Sequence, residues 1–156
     1  MYKIYSFLLA SIIGCELMIG VIVAPIIFKG NFLFETLPDF NTLHSGILMG
    51  QIFDKFNYAL FMVAVISFLI ELFLLFDKKM SFNLRISRFC LSFIALFCSC
   101  LFVFYFTDLI LEAKSLQDIQ SVEFKNIHDA SEYVFKIILI SQMVLFFLPN
   151  NAKVNK

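Results

Sequence analysis

The sequence predicts an all-α integral membrane protein, a four-helix bundle with an additional outer or extended helix before the second span. Three observations predict this class. Hydrophobic residues make up 61% of the chain and charged residues 15%, against about 45–50% and 25% in soluble domains. The apolar residues fall into four segments, each close to the roughly 20 residues that a helix needs to cross the hydrocarbon core. The formal net charge is +0, which argues against a nucleic-acid-binding protein.

The four predicted spans form a single transmembrane domain over residues 1–156. Glu16 is the charge inside the first span, Glu71 lies near the end of the second, and the third has none before Asp108. Lys136 lies in the first turns of the fourth span and can extend its charge outward along its own stem. Strands are excluded because open sheet edges cannot exist in hydrocarbon. The spans are expected at about residues 4–28, 56–76, 89–110 and 131–148.

The two segments that follow spans one and three are predicted to be partly helical. Pro38 and Asp39 suit the start of a helix. From there a helix through His44 and Gln51 either lies at the membrane surface or runs straight into span two. Residues 112–129 contain no Pro or Gly, so we expect this segment to extend helix three, turn and begin helix four.

The distribution of basic residues predicts the orientation of the spans. An even number of spans places both termini and the middle loop on one side, where Asp77 is the only acidic residue. The opposite side is longer and carries more acidic than basic residues. Since Lys and Arg concentrate in cytoplasmic loops, we expect cytoplasmic termini and a location in the bacterial cytoplasmic (inner) membrane. The basic residues of the terminal side are Lys3, Lys78, Lys79, Arg85, Arg88, Lys153 and Lys156.

Small residues at regular spacing predict where helices pack. In lipid, close approach of small side chains is a main source of helix association. We therefore expect a helix interface along a small-residue stripe in span one and along a small-residue pair before span two. The stripe is Ser6, Ala10, Gly14, Gly20 and Ala24, and the pair is Gly46 and Gly50.

Glu16 is the strongest candidate for a functional residue within the membrane. A charge at that depth costs at least roughly 2.5–3.5 kcal/mol, so the carboxyl is protonated, paired or beside a water-filled cavity. Ser67, Ser99 and Gln142 fall at the middle of the other spans, and a hydrogen bond between Glu16 and Gln142 is expected if spans one and four are neighbours. Two hypotheses stay open, a protonated carboxyl that only holds helices together and a relay for a proton or cation.

A second candidate site lies at the outer rim of the bundle. Asp108 and Glu112 are four residues apart, as are His128 and Glu132, so each pair shares a helix face. With His44, these side chains would suit zinc, copper(II) or manganese. An ordinary solvated rim of acidic helix ends explains the same pattern. Apart from this divalent metal, no cofactor and no catalytic residue is predicted, and we expect a protein that is not an enzyme.

Three short stretches carry a resemblance to a known family. They are Val23-Ala24-Pro25-Ile26-Ile27-Phe28, Ser45-Gly46-Ile47-Leu48-Met49-Gly50-Gln51-Ile52-Phe53 with Asn57 and Tyr58, and Ile127-His128-Asp129-Ala130-Ser131. Together they resemble the four-span membrane family labelled domain of unknown function 4149, which is similar to eukaryotic transmembrane protein 205. The resemblance implies four spans and an activity that is not settled.

The sequence leaves two functions in competition. The first is a polytopic membrane protein that serves as an accessory subunit or assembly partner, with the lipid bilayer, a membrane protein or a second copy of itself as partner. The alternative is translocation or sensing of a metal ion or proton through Glu16 and the rim cluster.

Overall fold

The described part of the chain is helical throughout. The computed structural model describes residues 2–29, 42–76, 80–110 and 122–149, and no strand occurs among them. Two π-helical segments interrupt the α-helices, one in the first span and one in the third. The elements are α1 (Tyr2–Leu17), a π segment (Met18–Val23), α2 (Ala24–Lys29), α3 (Thr42–Leu74), α4 (Phe82–Leu101), a second π segment (Phe102–Phe106) and α5 (Val122–Phe147).

Four helical stretches are long and apolar enough to cross a membrane, so the predicted all-α membrane bundle is confirmed. Each begins earlier in the chain than the apolar segment alone suggests, because a helix keeps its backbone hydrogen bonds beyond the hydrocarbon core. We call these stretches spans one to four. They are Lys3–Lys29, His44–Leu74, Phe82–Ile110 and Lys125–Phe147.

The helix expected before span two is continuous with that span. Thr42–Leu74 is a single helix of 33 residues, which confirms the extended alternative over a separate surface helix. Its predicted start at Pro38 and Asp39 lies outside the described residues. The helix of span four likewise begins at Val122, before the apolar run, as expected for the segment that precedes it.

The spans form a ring in which each packs mainly against two neighbours. Span one lies against spans two and four, and span three lies against the same two. The beginnings of spans one and three meet the ends of spans two and four, so consecutive spans are antiparallel and the bundle has two chemically different ends. We call them the Arg88 end, where Tyr5, Glu71 and Arg88 meet, and the His128 end, where Lys29 and His128 line a common cavity.

Aromatic rings fill the centre of the bundle where spans two, three and four meet. The ring centroid of Phe102 lies 5.4 Å from that of Phe53 and 5.3 Å from that of Phe135. Other large rings, such as Phe7 and Phe73, point outward and are exposed. Apolar side chains that face outward along all four spans fit a lipid environment and not water.

Ala10 and Gly14, two residues of the predicted small-residue stripe in span one, are exposed and do not pack against another span of the bundle. The face that packs against the other spans carries large residues at helical spacing instead. A four-helix ring needs volume at its centre, and large side chains supply it. The buried positions are Tyr5, Leu9, Ile12, Glu16 and Ile19.

Candidate functional site

All four polar residues that the sequence placed at mid-membrane are buried. Glu16 has an exposed fraction of 0%, and Ser67, Ser99 and Gln142 are also buried. The Ser99 hydroxyl donates to the Ala95 carbonyl oxygen at 2.7 Å, which satisfies it within its own helix.

The expected hydrogen bond between Glu16 and Gln142 does not form. Spans one and four are neighbours, as that expectation required. Both carboxyl oxygens of Glu16 and both polar atoms of the Gln142 amide nevertheless lack a hydrogen-bond partner. Most buried polar side-chain atoms in proteins have at least one partner. Glu16 is thus a buried carboxyl for which the surrounding side chains give no structural reason.

The backbone around Glu16 departs from a regular α-helix. Glu16 lies in the last turn of α1, and the π segment Met18–Val23 follows directly. Pro25 comes shortly afterwards and has no backbone N–H to donate, so the hydrogen-bond register of the helix has to change near it. π-Helical turns inside α-helices occur frequently at functional sites.

Beyond Glu16, a cavity of about 490 Å³ extends between the four spans. Small residues leave this space unfilled, among them Gly20, Gly46 and Gly50. A Cβ atom added at Gly20 would meet no other atom within 4 Å. Gly46 and Gly50 therefore line a cavity here, whereas the sequence suggested that they bring helices into contact.

The wall of the cavity is mostly apolar in its middle part, and its ionisable residues lie toward its two ends. Phe53, Phe102 and Phe135 contribute aromatic rings from spans two, three and four. Glu16 and Leu139 are the lining residues farthest along their spans from the His128 end. Glu16, whose carboxyl oxygens have no hydrogen-bond partner, thus lies at the inner end of a mostly apolar cavity.

The rim of the cavity contains part of the predicted metal cluster. His128 and Glu132 line it together with Lys29 and Lys136. The Glu132 carboxylate pairs with Lys136 at 2.7 Å, and both side chains are more than half exposed. His44 and Asp108 do not line the cavity, and both are exposed.

The metal site stays a prediction. Within the described ranges, no group of three His, Cys, Asp or Glu side chains is arranged to hold a metal ion. Glu112, one of the five proposed ligands, lies outside those ranges.

A second buried polar cluster, at the Arg88 end, did not emerge from the sequence. Arg88 donates from Nη2 to Glu71 Oε1 at 2.6 Å and from Nε to Glu71 Oε2 at 2.9 Å. The Tyr5 hydroxyl donates to the same Oε1 at 2.9 Å, and Arg88 Nη1 donates to the Leu148 carbonyl oxygen at 3.0 Å. The cluster therefore joins span one, span two, span three and the end of span four.

A signal for this cluster was present in the sequence. Glu71 lies within one turn of the end of α3, and Arg88 within two turns of the start of α4. Opposite charges at similar depth on consecutive antiparallel spans are placed to meet. The orientation prediction counts Arg88 among the loop charges, and the full burial of Arg88 corrects that interpretation.

These features define a polytopic α-helical membrane protein. It has a buried ion pair at one end of the bundle and, toward the other end, a cavity that has Glu16 at its inner end. The chain belongs to the family described as Domain of unknown function (DUF4149), which matches residues 7–118. The match includes Glu16, Glu71 and Arg88, whereas His128 and Glu132 lie beyond it. No curated protein and no solved structure matches the chain.

Proposed function

We propose that this membrane protein takes up and releases a proton or a monovalent cation at Glu16, through the cavity toward the His128 end. One observation carries the proposal: Glu16 is fully buried, neither carboxyl oxygen has a hydrogen-bond partner, and the residue is among those that line the cavity. Ionisable residues inside a membrane are costly and commonly mark proton or ion pathways. The proposed role is therefore translocation or sensing of such a species, and not catalysis.

The surroundings of Glu16 favour a proton over a divalent metal ion. Ca²⁺ takes six to eight oxygen ligands, and Mg²⁺ demands a near-ideal octahedron. In the described part of the cavity, the side chains nearest the inner end offer one carboxyl among apolar groups such as Leu17 and Leu139. A single carboxyl is sufficient for a proton.

Labelling with a lipophilic carbodiimide tests this proposal. The reagent adds to a protonated carboxylic acid and leaves a stable N-acylurea on it. We expect an adduct on Glu16 that declines as the pH is raised, because the deprotonated carboxyl does not react. Peptide mass spectrometry of the full chain in membranes would locate the adduct.

Glu71 provides the matched control. It is as deeply buried as Glu16 but is held by Arg88 and Tyr5, so it should remain unlabelled. The variant Glu16→Gln should carry no adduct at this position. Labelling of Glu71 with Glu16 left unmodified would contradict the proposal, since it would show that the paired carboxyl and not the unpartnered one carries the proton.

An accessory or assembly role is the second candidate. It is favoured by the exposed small residues Ala10 and Gly14 on span one, because small residues let helices approach closely in lipid. Cys15 is exposed beside them, and Cys90 is exposed on span three. If span one contacts a second copy, oxidation in native membranes should produce a dimer that Cys15→Ala abolishes and Cys90→Ala does not. An unchanged dimer in Cys15→Ala would count against this face.

A further inference from the structure

We infer that the cavity binds a lipophilic organic monocation with Glu16 as its counter-ion. This inference rests on the proposed function, because the ligand would take the place of the proton held at Glu16. It goes further by naming the chemical class of the ligand: an apolar body, of a size that the chamber admits, with one positive charge.

The size and walls of the cavity suit a small molecule. Its volume of about 490 Å³ falls within the roughly 300–1,000 Å³ of small-molecule sites. Met49, Phe53, Phe102 and Phe135 line it. Aromatic faces attract cations, most strongly where water is excluded. The walls therefore favour an apolar body and tolerate a positive charge.

The charged groups around the cavity indicate the sign of the charge that a ligand would carry. Span one contributes Glu16 and Lys29, span four contributes His128, Glu132 and Lys136, and the lining residues of spans two and three carry no titratable group. Lys29 is exposed, and Glu132 and Lys136 pair with each other at the surface. Exposed charges are screened by water and salt, whereas the charge of a buried group is screened much less.

Glu16 therefore dominates the potential at the inner end of the cavity. A cation placed there would meet a carboxylate, while an anion would meet no side-chain donor among the described lining residues at that end. The polar atoms of Gln142 are buried, but this residue does not line the cavity. A neutral apolar ligand would leave the carboxyl without a partner.

Binding exchanges one charge for another. The cation enters as the Glu16 carboxyl loses its proton to the surrounding water, so the charge inside the bundle does not change. One proton should be released for each cation bound, and no bond is made or broken in the ligand.

Binding of tetraphenylphosphonium to the purified full chain in mild detergent tests the inference. Equilibrium dialysis would give the affinity, and a pH indicator in weakly buffered solution would count released protons. We expect the wild-type protein to bind the phosphonium with release of about one proton. The affinity of Glu16→Gln for the phosphonium should be lower by about tenfold or more. Neutral triphenylphosphine oxide, which has a similar body, should bind equally to both proteins.

Two glycines of span one provide a matched pair that tests the location. A Cβ atom at either Gly14 or Gly20 meets no atom within 4 Å, so both should accept a larger side chain without unfolding. Gly20 lines the cavity and Gly14 does not. Gly20→Leu should weaken phosphonium binding about tenfold, while Gly14→Leu should leave it unchanged, at equal thermal stability.

The two proposals fail separately. Equal phosphonium binding by wild type and Glu16→Gln, or binding of dodecanoate in its place, would overturn the cation inference even with carbodiimide labelling of Glu16 intact. Loss of phosphonium binding in both Glu16→Gln and Gly20→Leu would support it. If Glu16 then proved unreactive toward carbodiimide at every pH, the proton role would be wrong and the counter-ion role would stand.

Discussion

Arg88 and Glu71 form a two-point ion pair inside the bundle, with Nη2–Oε1 and Nε–Oε2 distances of 2.6 and 2.9 Å. Each side chain is only 1% exposed. The parallel geometry matches the guanidinium fork to the carboxylate, an arrangement that Lys could not reproduce. Further hydrogen bonds to Tyr5 and to the Leu148 carbonyl extend the pair to the other two spans. One charged pair thus connects all four spans at the Arg88 end.

Removing one partner of this pair should destabilise the protein strongly. Arg88→Met leaves the Glu71 carboxylate buried without a counter-ion, and we expect the free energy of unfolding to fall by about 3–5 kcal/mol. The double variant Glu71→Leu with Arg88→Met leaves no charge behind and should lose less. Reversible unfolding in detergent would measure both.

The exposed pair Glu132–Lys136 is the control for that prediction. Lys136→Met removes an ion pair of similar length, 2.7 Å, but at the surface. Because water and salt screen an exposed pair, Lys136→Met should lower the free energy of unfolding far less than Arg88→Met does. If the double variant at Glu71 and Arg88 proved as unstable as the single one, the loss would come from packing and not from an uncompensated charge.

The sequence predicts the spans well because the physics that defines them is local. The length and composition of each apolar run determine whether it crosses a membrane. Thr42–Leu74 contains no proline, so one continuous helix can form over this whole range. These predictions needed only the order of residues along one helix.

The side-chain partners depend on how helices rotate against one another, which no single helix determines. The sequence predicts that Glu16 lies at mid-membrane with Gln142 as its partner, but no hydrogen bond joins the two side chains. Ala10 and Gly14 have the spacing of an interface and yet face outward, because the opposite face carries Tyr5 and its contact with Glu71. The hydrogen bond from Tyr5 to Glu71 thus requires that this face of span one point into the bundle.

Replacing Glu16 by an apolar residue should stabilise the protein. A buried carboxyl without a partner costs about 1–3 kcal/mol, so Glu16→Leu should raise the free energy of unfolding by a similar amount. Gln142→Leu should also stabilise, since the amide of Gln142 lacks partners too. The two variants separate stability from function, because only Glu16→Leu should abolish carbodiimide labelling at position 16. A clear loss of stability in Glu16→Leu would mean that the carboxyl has a partner in the folded protein.

Two phenylalanines of span two should respond differently to truncation. Phe56 is 9% exposed and packs against Phe135, whereas Phe73 is 72% exposed. Phe56→Ala should lower the free energy of unfolding by about 2 kcal/mol. This loss is smaller than the roughly 3–5 kcal/mol typical of cores in water-soluble proteins. In lipid, truncation removes packing contacts, but there is no hydrophobic driving force between the helices to lose. Phe73→Ala should change it little, and equal losses in the same unfolding assay would contradict the assignment of Phe73 to the lipid-facing surface.

The orientation predicted from the basic residues determines which compartment the cavity faces. In a background with the four cysteines replaced by alanine, Lys78→Cys tests the connection between spans two and three, and Ser115→Cys the segment between spans three and four. If the termini are cytoplasmic, an impermeant maleimide should label Ser115→Cys in intact cells and Lys78→Cys only after the membrane is permeabilised. The burial of Arg88 removes one charge from that argument, but Lys78, Lys79 and the other basic residues of that side remain. The reverse labelling pattern would place the His128 end in the cytoplasm, so that Glu16 would exchange its proton with the cytoplasm, with the bundle and the ion pair unchanged.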